Sequence, residues 1–122
     1  PLAIEADEQL FRQALFNLVL NAVQAVATQG EIEICLTKVS ATAATLEVRD
    51  NGPGVPPAER EAIFKPYFTS TQKGTGLGLA ICRAIIEELG GTIGVSDLDN
   101  QAKGSKFWFK LPRKQQGPST IV

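Results

Sequence analysis

The sequence predicts an α+β fold, a two-layer sandwich in which a mixed, mostly antiparallel sheet is covered on one face by helices. Two long runs carry apolar residues at the helical period, five shorter runs alternate at period 2, and most of these are joined by hairpin-length connections. At 122 residues, with 43% hydrophobic and 20% charged content, the chain fits one ordinary globular domain with a real core. A net charge of -1 supplies no basic field for nucleic acid or anionic lipid. No apolar run reaches the roughly 18 residues needed to cross a bilayer, so a soluble domain is expected; the start at Pro1 suggests a piece of a longer parent, soluble or membrane-anchored, of which this domain is expected to be cytoplasmic. The chain has no His, which excludes a self-contained His-based triad and any phosphohistidine of its own. Cys35 and Cys82 lack metal spacing and read as small core residues.

Leu2 to Ala6 is the first strand candidate, and Asp7 stands where a helix N-cap would. From Glu8 to about Ala27, Phe11, Ala14, Leu15, Leu18, Ala22 and Ala25 share one helical face. Gln13, Asn17, Asn21 and Gln24 fall within an arc of roughly 80°, giving the helix a stripe of uncharged amides. Thr28-Gln29-Gly30 ends it. Glu31 to Val39, with Ile32, Ile34 and Leu36 on one face, reads as a strand paired through a turn at Ser40 to Ala44 with Thr45 to Arg49.

Asp50-Asn51-Gly52-Pro53-Gly54-Val55 closes that second strand abruptly. Taken alone it is a β-turn. A carboxylate at a strand end, beside glycines that admit a ligand to the backbone, can also accept a hydrogen bond from an amino group such as adenine's. Val55 to Lys73 follows, with three prolines and one short helix candidate around Pro57 to Phe64; a segment that long is more often functional than accidental. Gly74-Thr75-Gly76-Leu77-Gly78-Leu79 opens the second long helix, in which Leu77, Ile81, Ala84 and Ile85 have core spacing and Gly90-Gly91 is the stop. Three alternate glycines weaken a helix start by up to about 1 kcal/mol each unless the bare backbone is needed, and an anion at the free N-H groups is such a need. The spacing fits neither Rossmann nor Walker loops. Thr92 to Ser96 and Lys106 to Leu111 are the last strands, joined by a polar turn from Asp97 to Gly104. Residues 113–122 are polar and read as a frayed tail.

Together these stretches resemble the ATP-binding catalytic domain of bacterial sensor histidine kinases, within the GHKL ATPase superfamily. Asn17-Leu-Val-Leu-Asn21-Ala is similar to its N box, Asp50 to Gly54 to its first glycine box, Phe64 to Phe68 to its F box, and Gly74 to Leu79 to its second glycine box. Gly104-Ser105 with Phe107 and Leu111-Pro112 is similar to its last strand. The Asn-Ala-Val-Gln-Ala run and the short Phe-Thr-Ser lid look most like the nitrogen-regulation subgroup.

The resemblance implies that the chain binds Mg-ATP and donates the γ-phosphoryl group to a histidine on a separate dimerisation domain of the same parent, with a response regulator downstream. It implies one domain over 1–112, a lid over about 55–75, and a monomer whose parent is a homodimer. Asp50 would take the adenine amine, Asn21 the Mg²⁺, and Asn17 the phosphate side of the reaction as the candidate catalytic residue. Gln24, Gly52, Gly54, Val55, Phe64, Phe68, Lys73, Gly74, Thr75, Gly76, Leu77, Gly78, Leu79 and Ser105 would complete the ATP site. Two departures stand out. Many members have Lys where Gln24 stands, and short-lid members commonly have Lys where Thr71 stands, so Lys73 is the expected lid contact to phosphate, ahead of Lys65 and Arg60. The alternatives are a GHKL-type ATPase, an anti-sigma-like serine kinase, and a nucleotide-binding module without turnover. Hydrolytic relatives place a Glu where Asn17 stands, and an amide cannot act as that base.

Overall fold

The computed structural model describes residues 3–4, 8–26, 29–68, 77–98, 103–113 and 120–121. In chain order these form β1 (Ala3–Ile4), α1 (Glu8–Ala25), β2 (Ile32–Thr37), β3 (Ala43–Asp50), two 3-10 turns (Pro57–Glu59 and Ala62–Phe64), α2 (Gly78–Glu88), β4 (Thr92–Asp97), β5 (Ser105–Pro112) and β6 (Thr120–Ile121). Period decides the helix layer. On α1 the residues four apart, Ala14, Leu18 and Ala22, are fully buried, and Phe11 meets Phe109 of β5 edge to face at 5.8 Å.

Strands β2, β3, β5 and β4 lie in that spatial order, every neighbouring pair antiparallel. Alternation sends Val48, Phe107, Phe109 and Leu111 under the helices. On the open face, Arg49 covers Glu47 through two bonds to one carboxylate oxygen, at 2.8 and 2.9 Å, and leaves Glu47 buried there. Trp108 lies over Gly94, where a Cβ would come within 2.5 Å of its ring.

Several expectations need correction. Among the described residues the main sheet is four-stranded with every pair antiparallel, not mixed; β1 stands apart, paired with β6 as Ala3 with Ile121 and Ile4 with Thr120. Within the tail expected to fray, Thr120–Ile121 forms that partner strand, and residues 114–119 and 122 lie outside the described residues. The core face of α2 is Cys82, Ile85 and Ile86; Ile81 and Ala84 are exposed. From Leu79 to Ile86 only Arg83 interrupts the small and apolar residues, so the pattern allows several faces, and packing on α1 selects one: Cys82 Sγ donates to the Ala14 carbonyl at 3.4 Å, and burial pushes its thiol up to about 12. Cys35 pairs with Glu47 across β2 and β3 on the open face, outside the core. The single helix expected around Pro57 to Phe64 is two 3-10 turns, and Asp7 lies outside the described residues.

Candidate nucleotide site

Asp50 is the last residue of β3, in a row that runs Ile32, Asp50, Ser105, Asp97 across all four strands. Only 2% of it is exposed. Its Oδ1 accepts the Gly52 amide at 2.9 Å, while its Oδ2 is buried with no partner among the described residues. Burial raises the Asp50 pKa, and the Gly52 and Ser105 amides oppose the rise without completing a bond to Oδ2. A buried acceptor left open at the mouth of a loop is costly, and a ligand's donor would complete it.

The loop around Asp50 is seated on both helix and sheet. Asn51 exchanges two bonds with Glu31, Oδ1 accepting the Glu31 amide at 2.9 Å and its own amide donating to the Glu31 carbonyl at 3.2 Å. Gly52 approaches α1 so closely that a Cβ would lie 2.7 Å from the Ala25 carbonyl. Gly104, at φ +138°, leaves room for the Asp50 carbonyl where any side chain would collide, and Gly54 lies beside it. Ser105 is buried next to Asp50 in the row.

Asn21 and Asn17 are one and two turns up α1 from the Ala25 contact, about 6 and 12 Å along the axis. Both are half-buried, and among the described residues none bonds their side-chain amides. Gln24 and Gln13 are exposed. An amide oxygen such as that of Asn21 suits Mg²⁺, which takes few protein ligands when phosphates supply the rest. The described residues hold no acidic, His or Cys cluster that would bind a metal without such help.

The segment after the loop is rooted in the core. Phe64 is buried and meets Phe107 edge to face at 6.4 Å; Phe68 and Val55 pack against the same cluster. Leu79 joins that packing, whereas Leu77 is half-buried outside it. The N-terminus of α2, with Leu77 before it and Gly78 in open space, has no side-chain cap among the described residues, and an uncapped helix start is where an anion can meet backbone amides. Lys73, Gly74, Thr75 and Gly76 lie outside the described residues. Arg60 turns away from the phosphate role considered for it: it bonds the Val55 carbonyl and Asp97, and nothing in local sequence signalled either contact.

The family described as histidine kinase-, DNA gyrase B-, and HSP90-like ATPases matches residues 6–115. The chain belongs to this family. The sensor histidine kinase ZraS of Escherichia coli O157:H7 is 43% identical over 109 residues, covering 89% of this chain and 23% of that protein. The nitrogen regulation protein NtrY of Azorhizobium caulinodans is 37% identical over 119 residues, covering 92% and 15%. This chain therefore spans under a quarter of either. Among solved structures, the catalytic domain of histidine kinase ThkA superposes with a TM-score of 0.79 at 40% identity, covering 90% of this chain and 70% of that one. Full-length ShkA in complex with AMPPNP gives 0.77 at 35%, covering 92% and 23%. The fold is that of the histidine kinase ATP-binding domain, and no helix among the described residues is long and apolar enough to cross a membrane.

Proposed function

We propose that this chain binds Mg-ATP and presents the γ-phosphoryl group to a histidine carried by a helical dimerisation domain of the same parent protein. The observation that carries the reading is the buried, unpartnered Oδ2 of Asp50, which an adenine amine would satisfy. The ShkA complex with AMPPNP supports a nucleotide in the equivalent fold, and the sensor kinase relatives support phosphotransfer over hydrolysis. Asp50 fixes the base; Gly52, Gly54 and Val55 shape the loop around it; Asn17, Asn21 and Gln24 face the phosphate side. The uncapped N-terminus of α2, with Gly74 to Gly78 leading into it in sequence, takes the phosphates, and Lys73 supplies the lid's charge. Asn21 would hold Mg²⁺, whose contribution is to neutralise phosphate charge. Because the chain has no His and Asn17 cannot serve as a base, it holds and orients rather than hydrolyses. The setting is cytoplasmic two-component signalling, with a homodimeric parent and a receiver domain as the later acceptor.

Adenine selectivity tests this reading. Titration calorimetry should show ATP binding and GTP binding at least tenfold weaker, since guanine turns a carbonyl towards Asp50 where adenine turns an amine. Equal affinity for the two would remove Asp50 from base recognition.

A further inference from the structure

We propose that Arg60 is a positioning residue for the adenine end of the site, holding the far side of the Asp50 loop against the sheet. The inference rests on the nucleotide reading above. The near side of the loop is fixed by the Asn51 and Glu31 pair and by the Gly52 amide on Asp50. At the far side, Arg60 Nε donates to the Val55 carbonyl at 3.3 Å, while Nη2 donates to Asp97 Oδ1 at 2.5 Å. Asp97 ends β4 and pairs with Ser105, which in turn pairs with Asp50. One guanidinium therefore ties the exit of the loop to the strand row that carries the adenine carboxylate.

The arrangement needs arginine. Its planar fork reaches the two partners from two separate nitrogens, Nε and Nη2, whereas a lysine ammonium has all three donors on one nitrogen at the end of a flexible stem and would have to bring both partners to that point. The ion pair is exposed on the Asp97 side, at 70%, and partly covered on the Arg60 side, at 28%. Pairs this open add little to global stability, so the consequence is local: where Val55 sits relative to Asp50.

The experiment measures ADP affinity by calorimetry for the unmodified chain, Asp50→Ala, Arg60→Ala, Arg60→Lys, Asp97→Ala, and the exchanged pair Arg60→Asp with Asp97→Arg, with a thermal melt of each. Arg60→Ala and Asp97→Ala should each weaken ADP about fivefold with melting midpoints nearly unchanged, and combining them should cost no more than the Arg60 change alone. Arg60→Lys should fall between, and the exchanged pair should recover part of the Asp97 contact. In native-state hydrogen exchange the Gly54 and Val55 amides should open faster in Arg60→Ala while those of α1 do not. Affinity within twofold of unmodified in Arg60→Ala, with Asp50→Ala still losing it, would overturn this role and leave the nucleotide reading intact. A binding loss matched by a collapsed melt in Arg60→Ala, with the exchanged pair folded and binding no better, would make Arg60 a stability residue and overturn it too. No ADP binding by the unmodified chain would overturn both.

Discussion

Replacing Asp50 with Asn separates recognition from stability, because it preserves shape and removes one acceptor. Oδ1 must remain an oxygen to accept the Gly52 amide at 2.9 Å, which forces the new NH2 into the place of Oδ2. Two donors then face each other when adenine arrives. The bond lost is charge-assisted and lies in a site only 2% exposed, so it should be worth about 1.5 to 3 kcal/mol, or about 10- to 150-fold in affinity. Stability moves little. Removing a buried charge helps, leaving a buried NH2 without an acceptor costs, and the two terms should leave unfolding within about 1 kcal/mol of the original. Calorimetry with ATP, paired with urea unfolding, reads both quantities. Affinity within threefold of unmodified would refute the role of Oδ2. A large loss of stability would show that Asp50 serves the fold as well, and the affinity would then have to be compared at conditions where both forms are folded.

Other outcomes follow from the same geometry. Burial raises the folded pKa of Asp50 above 3.8, so its contribution is fully present below the unfolded pKa and is lost as pH rises through the folded one; relative to Asp50→Asn, the chain should lose stability over that window and hold the loss above it. ATP affinity should move the opposite way, rising with pH as the carboxylate ionises, and a flat profile across pH 4 to 7 (about the range that brackets an unperturbed and a raised carboxyl) would contradict the assignment. Asn21→Ala should abolish phosphotransfer while leaving Mg²⁺-free ADP binding largely intact; equal loss of both would make the residue structural. Leu18→Ala, at a fully buried position between the layers, should cost about 2 to 5 kcal/mol in urea unfolding, and a change under about 1 kcal/mol would mean that α1 repacks freely.

What could be read from sequence was what local spacing controls. The period of α1 put Ala14, Leu18 and Ala22 in the core and the amides of Asn17 and Asn21 beside it, and the alternation of Thr45 to Arg49 set Asp50 at a strand end. What escaped depends on segments far apart in the chain. The face of α2 was decided by Ala14, 68 positions from Cys82, and Arg60 found Asp97 37 positions on. Cys35 reads as core by type, yet its register with Glu47 turns it to the open face. The antiparallel partner of β1 is a two-residue stretch in a polar tail, where the pattern carries no strand signal.

The measurement nearest the central claim follows γ-labelled phosphate from ATP, with the chain alone and with the parent's helical domain added or covalently joined. The account predicts slow turnover alone, and label on one histidine of the helical domain, acid-labile and base-stable, forming much faster when the two are joined, since a short linker raises the acceptor to roughly millimolar effective concentration. Rapid phosphate release by the isolated chain, acid-stable label on a separate protein, or tight ATP binding that labels nothing would each contradict it, in favour of an ATPase, a serine kinase or a binding module respectively.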